Sequence, residues 1–275
     1  MEHRNDPAPV AVPASDWDTG SNEDFYRYYE QQSLSPQTLE RFRSTCDTLL
    51  RLFDEAGDQR QLDILDLGCG AGTQSGFWLE RGHRYWGIDI NEPLIALARR
   101  RTAEQGASAR FDVASATELP CPDASVDVCM MPELLEHVVD WRSCVSEAVR
   151  VLRPNGLIYI TTSSKLCPKQ QEFSLPLYGW YPGRVKRYFE RRAVTDWPAV
   201  VKHAKYPAVN WFSYYGLRDY LKPRGFACLD RFDIIDVESK GGAARALLGA
   251  LRAVAPIRLI GHIATPYTLL VGRKL

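Results

Sequence analysis

The sequence predicts an α/β chain built on a doubly wound, mostly parallel sheet, and three observations carry that prediction. From about residue 62 onward, short apolar runs alternate with stretches of helical apolar spacing. The first of these runs breaks into a glycine-rich loop, the way a strand hands over to a helix in such sheets. A balance of 45% hydrophobic and 25% charged residues over 275 positions supplies a core that needs no disulfide or metal to hold it.

The elements follow in order. Residues 1–20, rich in Pro, Asp and Ser, read as a disordered tail. Residues 21–60 read as an N-terminal helical cap, with an aromatic helix at 25–30 (FYRYYE) and a second at 35–53, where Leu39, Phe42, Leu49, Leu50 and Phe53 recur at helical spacing. The core begins at 61. Residues 62–67 (LDILDL) form a strand, and a helix follows the loop through Phe77, Trp78 and Leu79. Strand 85–90, helix 93–105, strands 109–113 and 126–131, helix 143–152, a turn at Arg153-Pro154-Asn155-Gly156 and strand 157–162 carry the core to residue 164. There the alternation stops. Residues 165–211 hold five prolines and many aromatics, and read as a substrate-covering insertion after the fifth strand. Residues 212–275 return to the sheet through helix 214–222, strand 226–235, helix 243–254 and strand 267–272.

Charge and cysteine usage narrow the function classes. The seven cysteines are scattered and form no C-x-x-C pair, which suits a reducing cytoplasm rather than a disulfide framework or zinc ribbon. No basic start leads into an apolar stretch as in a signal peptide, and no apolar run is long enough to cross a bilayer, so a soluble chain, or one peripheral to the inner face of a membrane, is expected. Net charge is zero but unevenly spread: residues 1–60 carry 12 acids against 6 bases, and residues 165–211 carry 9 bases against 3 acids. The latter marks an anion-facing patch or a solvated surface. Without an overall basic excess, and with Met131-Pro132-Glu133 in place of an N-P-P-Y type motif, nucleic acid is not the expected substrate.

The chemistry concentrates in DLGCGAG, residues 66–72, between a strand and a helix. The next strand ends in GIDI, which puts Asp89 21 positions after Gly68, where an acid can accept hydrogen bonds from two ribose hydroxyls. A dinucleotide enzyme would show G-x-G-x-x-G with a helix N-terminus on the pyrophosphate. Here the spacing is G-x-G-x-G behind Asp66, a carboxylate that would repel pyrophosphate and suits a ligand bearing an ammonium and a sulfonium. The plainer alternative is a glycine turn that serves only tight packing. Motif, spacing and strand order together resemble the class I S-adenosylmethionine-dependent methyltransferases over roughly residues 60–165 and the final strands.

That resemblance implies a Rossmann-like, seven-stranded, mostly parallel sheet with an antiparallel last strand. It also implies S-adenosylmethionine as cofactor, with contacts at Asp66, Gly68, Cys69, Gly70, Gly72, Asp89, Ile90 and Pro132. In DVASATELPCPDASVDV, aligned on Leu119-Pro120, Ser115 stands where many relatives carry an acid for the adenine amine. Ser115 with the Ala116 backbone, or Asp112, could take that edge. MPELLEHVVDW resembles the E-x-x-E-H segment of quinone-pathway O-methyltransferases, and Glu133, Glu136 and His137 at i, i+3 and i+4 would share one face of a helix. A general base, a divalent-metal site and plain helix capping remain open for them. Phe25, Tyr26, Tyr28 and Tyr29 read as the core of a capping helix, or as rings over the sulfonium, and Arg41 and Arg43 as partners of the cofactor carboxylate.

The expected activity is methyl transfer to a small or amphipathic acceptor of lipid, quinone-precursor or glycolipid type, on oxygen, with His137 as base. A nucleotide-site protein without methyl transfer and a nicotinamide dehydrogenase are the alternatives. The insertion interleaves Tyr178, Trp180 and Tyr188 with Arg184, Arg187 and Arg191, which suits an acceptor with a ring or chain and a negative group. The helix at 243–254, apolar apart from Arg245 and Arg252, adds an amphipathic surface able to rest on a membrane.

Overall fold

The computed structural model describes residue 29 and residues 32–57, 60–169, 173–200, 208–237 and 241–275. Seven strands form one sheet: β1 (Asp63–Leu67), β2 (Arg84–Asp89), β3 (Arg110–Val113), β4 (Val126–Pro132), β5 (Leu152–Ser163), β6 (Phe226–Asp230) and β7 (Tyr267–Lys274). Their order is β3-β2-β1-β4-β5-β7-β6, and only β7 runs antiparallel to its neighbours. Among the described residues eight α-helices accompany them: α1 (Pro36–Asp54), α2 (Ser75–Leu79), α3 (Glu92–Glu104), α4 (Trp141–Val151), α5 (Gly183–Val194), α6 (Tyr214–Leu221), α7 (Gly242–Ala253) and α8 (Ala255–Ile263).

β4 shows why the strands read as unbroken apolar runs. Val128 and Met130 point into one core with α1, α2 and α3, while Cys129 and Met131 point into another with α4 and α6. Both faces of a parallel sheet are covered, so both sides of the pleat must be apolar. Polar side chains start the helices: Ser35, Asn91 and Asp140 accept from the N–H three residues on, at 3.3, 3.1 and 3.1 Å. After β1 the chain steps outward to β2 and β3, then returns to lay β4 on the other side of β1. This is the topological switch point, where open α/β sheets bind ligands at the carboxyl ends of the strands.

Several boundaries differ from the sequence reading. β5 takes in the Arg153–Gly156 stretch expected as a turn, with Asn155 at φ 63 and a register shift between Val126 and Val128 accommodating the extra residues. β6 stops at Asp230 rather than 235, because the Asp230 carboxylate turns back to accept from the N–H groups of Phe232 and Asp233. The single helix expected at 243–254 is followed by α8, which turns away by 106°. The aromatic helix expected at 25–30 lies outside the described residues except for Tyr29.

The insertion forms a small core of its own. Phe173, Tyr178, Ala193 and Val200 are buried in it, and Phe173 stacks on Tyr178 at 4.0 Å and 14°. Its return limb pairs with the end of β5, where Phe212 N donates to Ser163 O at 3.0 Å and Lys165 N to Phe212 O at 2.7 Å.

Candidate active site

The loop after β1 occupies the switch point. Gly68, Gly70 and Gly72 all lie at positive φ. At Gly70 (φ +52) an added Cβ would come within 2.7 Å of the Tyr29 ring, and at Gly72 (φ +67) within 2.9 Å of Ala98 and Phe111. Gly72 is therefore fixed by packing beneath the loop, and Gly70 by the close approach of an aromatic ring above it. Of the N-terminal aromatics, Tyr29 is thus brought to the loop, and its carbonyl accepts from Arg101 at 2.9 Å. Phe25, Tyr26 and Tyr28 lie outside the described residues.

Two carboxylates face this loop. Asp89, at the end of β2, accepts from Gly70 N with one oxygen and from Asn91 N with the other, both at 2.9 Å. Burial raises its pKa, and those N–H groups pull it back. The exposed Ile90 follows directly. Asp66 is fully buried in β1. One of its oxygens accepts from Gln74 Nε2 at 2.7 Å and from the Tyr85 hydroxyl, while Oδ1 is buried with no hydrogen-bond partner. Burial pushes this carboxyl up to about 7 against those two donors. Gln74 and Tyr85 escaped the sequence reading, since nothing in their spacing marks them as partners of Asp66.

Beyond β3, Ser115 bonds the Thr117 hydroxyl at 2.7 Å and accepts from Thr117 N at 3.2 Å, fixing a turn in which Ala116 packs against the core. Asp112 accepts from Trp86 Nε1 at 3.0 Å and from Arg110 Nε at 2.7 Å, so of the two acceptors considered it is the more heavily engaged.

The segment after β4 corrects the sequence reading. Glu133, Glu136 and His137 do not share a helical face, because residues 133–140 are turns and α4 begins at Trp141. Glu133 sits at φ 53, exposed at the end of β4, and pairs with Arg41 of α1 at 2.7 Å. Glu136 turns inward, where Thr162 Oγ1 donates to it at 2.7 Å, and its carbonyl accepts from Val209 N and Asn210 N of the insertion's return limb. Asn210 Nδ2 in turn donates to the carbonyls of Leu135 and Val138. The reason is the chain's need to leave β4 past Pro132 and anchor the insertion, which uses Glu136 as a bridge instead of a helical ligand. His137, half-buried, donates its N–H to Leu134 O. Among the described residues no group of three or more His, Cys, Asp or Glu gathers at metal-binding distances. Arg43 lies over the Phe77 ring at 5.6 Å.

Comparison with known proteins decides the nature of this region: the family model described as a methyltransferase domain matches residues 65–160. Those residues are a class I S-adenosylmethionine-dependent methyltransferase domain. A probable S-adenosylmethionine-dependent methyltransferase of Mycolicibacterium smegmatis is 36% identical over 106 residues, 38% of this chain and 39% of that protein. A ubiquinone biosynthesis O-methyltransferase of Idiomarina loihiensis is 34% identical over 103 residues, 37% and 42% of the two chains. The chain thus spans less than half the length of these curated relatives. The crystal structure of magnesium protoporphyrin IX methyltransferase from Synechocystis, with bound S-adenosylhomocysteine, superposes with a TM-score of 0.55 at 13% identity. It covers 95% of this chain and 98% of that one, and it shares the fold.

The residues of the methyltransferase domain fit the cofactor of its family. Asp66 Oδ1 is a buried acceptor without a donor, and Gly70, lacking a side chain, presents bare backbone beneath the Tyr29 ring. A cationic ligand with a close-lying backbone contact answers both features. The matched stretch ends inside β5, so the insertion, α7 and α8 lie outside it.

Proposed function

We propose that this chain moves the methyl group of S-adenosylmethionine to an oxygen of a small or amphipathic acceptor, of lipid, quinone-precursor or glycolipid type. The observation that carries the reading is Asp66: a buried carboxylate with one donorless oxygen beneath a glycine loop at the switch point. That oxygen would take the cofactor's ammonium. The backbone of Gly68, Cys69, Gly70 and Gly72 would line the amino-acid portion, Asp89 would accept from the ribose with Ile90 beside it, and Ser115 with Ala116 would meet the adenine edge. Pro132 closes the end of β4.

When bound, the cofactor supplies an electrophilic methyl group on a positively charged sulfur. The chain's own task is mainly to hold donor and acceptor in line, since positioning can supply several kcal/mol of such a barrier, roughly 7 to 11 at the extreme. An oxygen acceptor also gives up a proton. His137 is the base in this reading, and Glu133, at the mouth with Arg41, shapes the opening without touching the proton. Glu136 holds the turn that carries His137. The ubiquinone relative, named as an O-methyltransferase, supports oxygen as the accepting atom.

His137→Ala tests the assignment. Turnover should fall about a hundredfold or more while affinity for S-adenosylhomocysteine stays within about twofold. A folded variant with wild-type turnover would remove His137 from the reaction, and loss of cofactor affinity instead would make it a pocket-shaping residue.

A further inference from the structure

The α7–α8 hairpin is built inside out. On its inner side stand polar groups: Arg252 donates to the carbonyls of Phe232, Asp233 and Ile235. Arg258 pairs with Asp230 and Asp233, and the buried His262 bonds Asp230 at 2.8 Å. On its outer side stand Leu247 (59% exposed), Val254, Ile257, Leu259 and Ile260 (64% exposed). Helices of a water-soluble surface place these classes the other way round. Exposed side chains of this size, clustered on one short hairpin, mark a contact surface.

Charge and placement say what covers it. From Ser239 to Leu275 the sequence has no Asp or Glu, and on the hairpin Arg245 is exposed while Arg252 and Arg258 face inward. The insertion, with its excess of bases, exposes Lys165, Lys169, Arg184 and Arg191 beside the exposed rings of Trp180, Tyr188 and Trp197. β6 runs parallel to β5, because both are antiparallel to β7, so hairpin and insertion leave the sheet at the same carboxyl edge. Their bases are joined there, Ser164 N to Pro266 O at 3.1 Å and Thr268 Oγ1 to Phe212 O at 2.9 Å. Aliphatic side chains on a hairpin free of carboxylates, flanked by interfacial aromatics and an excess of cations, match an anionic lipid surface. No single helix among the described residues is long and apolar enough to cross a membrane. The α7–α8 pair together meets that composition but is bent by 106° between its two helices, so it forms no single straight span.

We propose that the α7–α8 hairpin, flanked by the insertion's cations, docks this protein on an anionic lipid bilayer. The surface stands on its own geometry; it rests on the methyl-transfer reading only in that the acceptor would then be reached from the bilayer.

The test uses the full chain with vesicles of phosphatidylcholine alone and with about a third phosphatidylglycerol. Wild type should cosediment with the anionic vesicles and lose that binding as salt rises. Leu247→Ser with Ile260→Ser should weaken vesicle binding at least about tenfold and leave circular dichroism and S-adenosylhomocysteine affinity unchanged. Arg184→Glu with Arg191→Glu should remove most of the salt dependence. Wild type that ignores anionic vesicles, or a double serine variant that binds them like wild type, overturns the proposal. So does a lipid-free dimer that the serine variant dissolves while vesicles capture neither, since a second copy would then own the surface. Vesicle binding without S-adenosylhomocysteine binding would strike the methyl-transfer reading and leave the docking surface standing.

Discussion

The glycine loop and the insertion sit at the same edge of the sheet and are held by opposite means. The loop is fixed by backbone: three glycines at positive φ, and Asp89 clasping Gly70 N and Asn91 N. The insertion is fixed by side chains, with Phe173 on Tyr178 and Lys186 over Trp211 at 4.5 Å, its buried ammonium lowered to about 8 by burial. A site made from main chain tolerates little change at a few positions. One made from packed rings can be rebuilt ring by ring while the sheet stays as it is. The first suits a constant ligand and the second a variable one.

Substitutions can break that contrast, and Gly70→Val should do most. Its branched side chain would enter the Tyr29 ring in an unfavourable backbone region, so S-adenosylhomocysteine binding should weaken at least about a hundredfold with circular dichroism preserved. Calorimetric titration reads it, and wild-type affinity would refute the close approach. Phe173→Ala should cost roughly 3 to 5 kcal/mol within the insertion, seen as faster hydrogen exchange confined to it, with cofactor affinity within about twofold of wild type. A matching loss of affinity would show that the two regions are not separately held. Asp89→Ala should weaken binding more than about tenfold, from charge-assisted hydrogen bonds contributing roughly 1.5 to 3 kcal/mol each.

A pH series sharpens the comparison further. Asp66 is raised to about 7, so near neutrality it is partly protonated, whereas an ammonium ligand requires the charged form. Binding should release a proton, and affinity should fall as pH drops below about 7, by at most about a decade per unit. Without ligand the sign is reversed: the folded chain keeps a proton that the unfolded chain loses, so stability should decline from about pH 4 to about pH 7. Asp66→Asn should flatten both curves. The smallest effect belongs to Arg41→Ala, whose ion pair with Glu133 is half exposed on both sides and contributes about 0 to 1 kcal/mol, measurable as a shift in melting temperature.

What the sequence made legible follows the same divide. The doubly wound sheet and the glycine loop could be read because a doubly covered parallel sheet forces apolar runs and positive φ forces glycine. Glu136 was misread because its i, i+3 spacing with Glu133 fits a helix, and nothing local reveals that Thr162 and the backbone of residues 209 and 210 claim it. Gln74 and Tyr85 were missed for the same reason, as partners defined only in three dimensions. The second limb of the hairpin was passed over because Pro256 breaks the apolar pattern, although proline sits comfortably in a first helical turn.

The place of β7 sets an order of events. It is an inner strand, hydrogen-bonded to β5 on one side and β6 on the other, so neither neighbour has a complete edge until residues 267–274 arrive. During synthesis the parallel half can assemble from residues 63–163 while β5 waits with an open row of donors and acceptors. Closure pairs segments about 110 residues apart, a slow kind of contact. A chain paused on the ribosome before residue 267 should therefore have its glycine loop formed and its β5 edge open, and release should seal it.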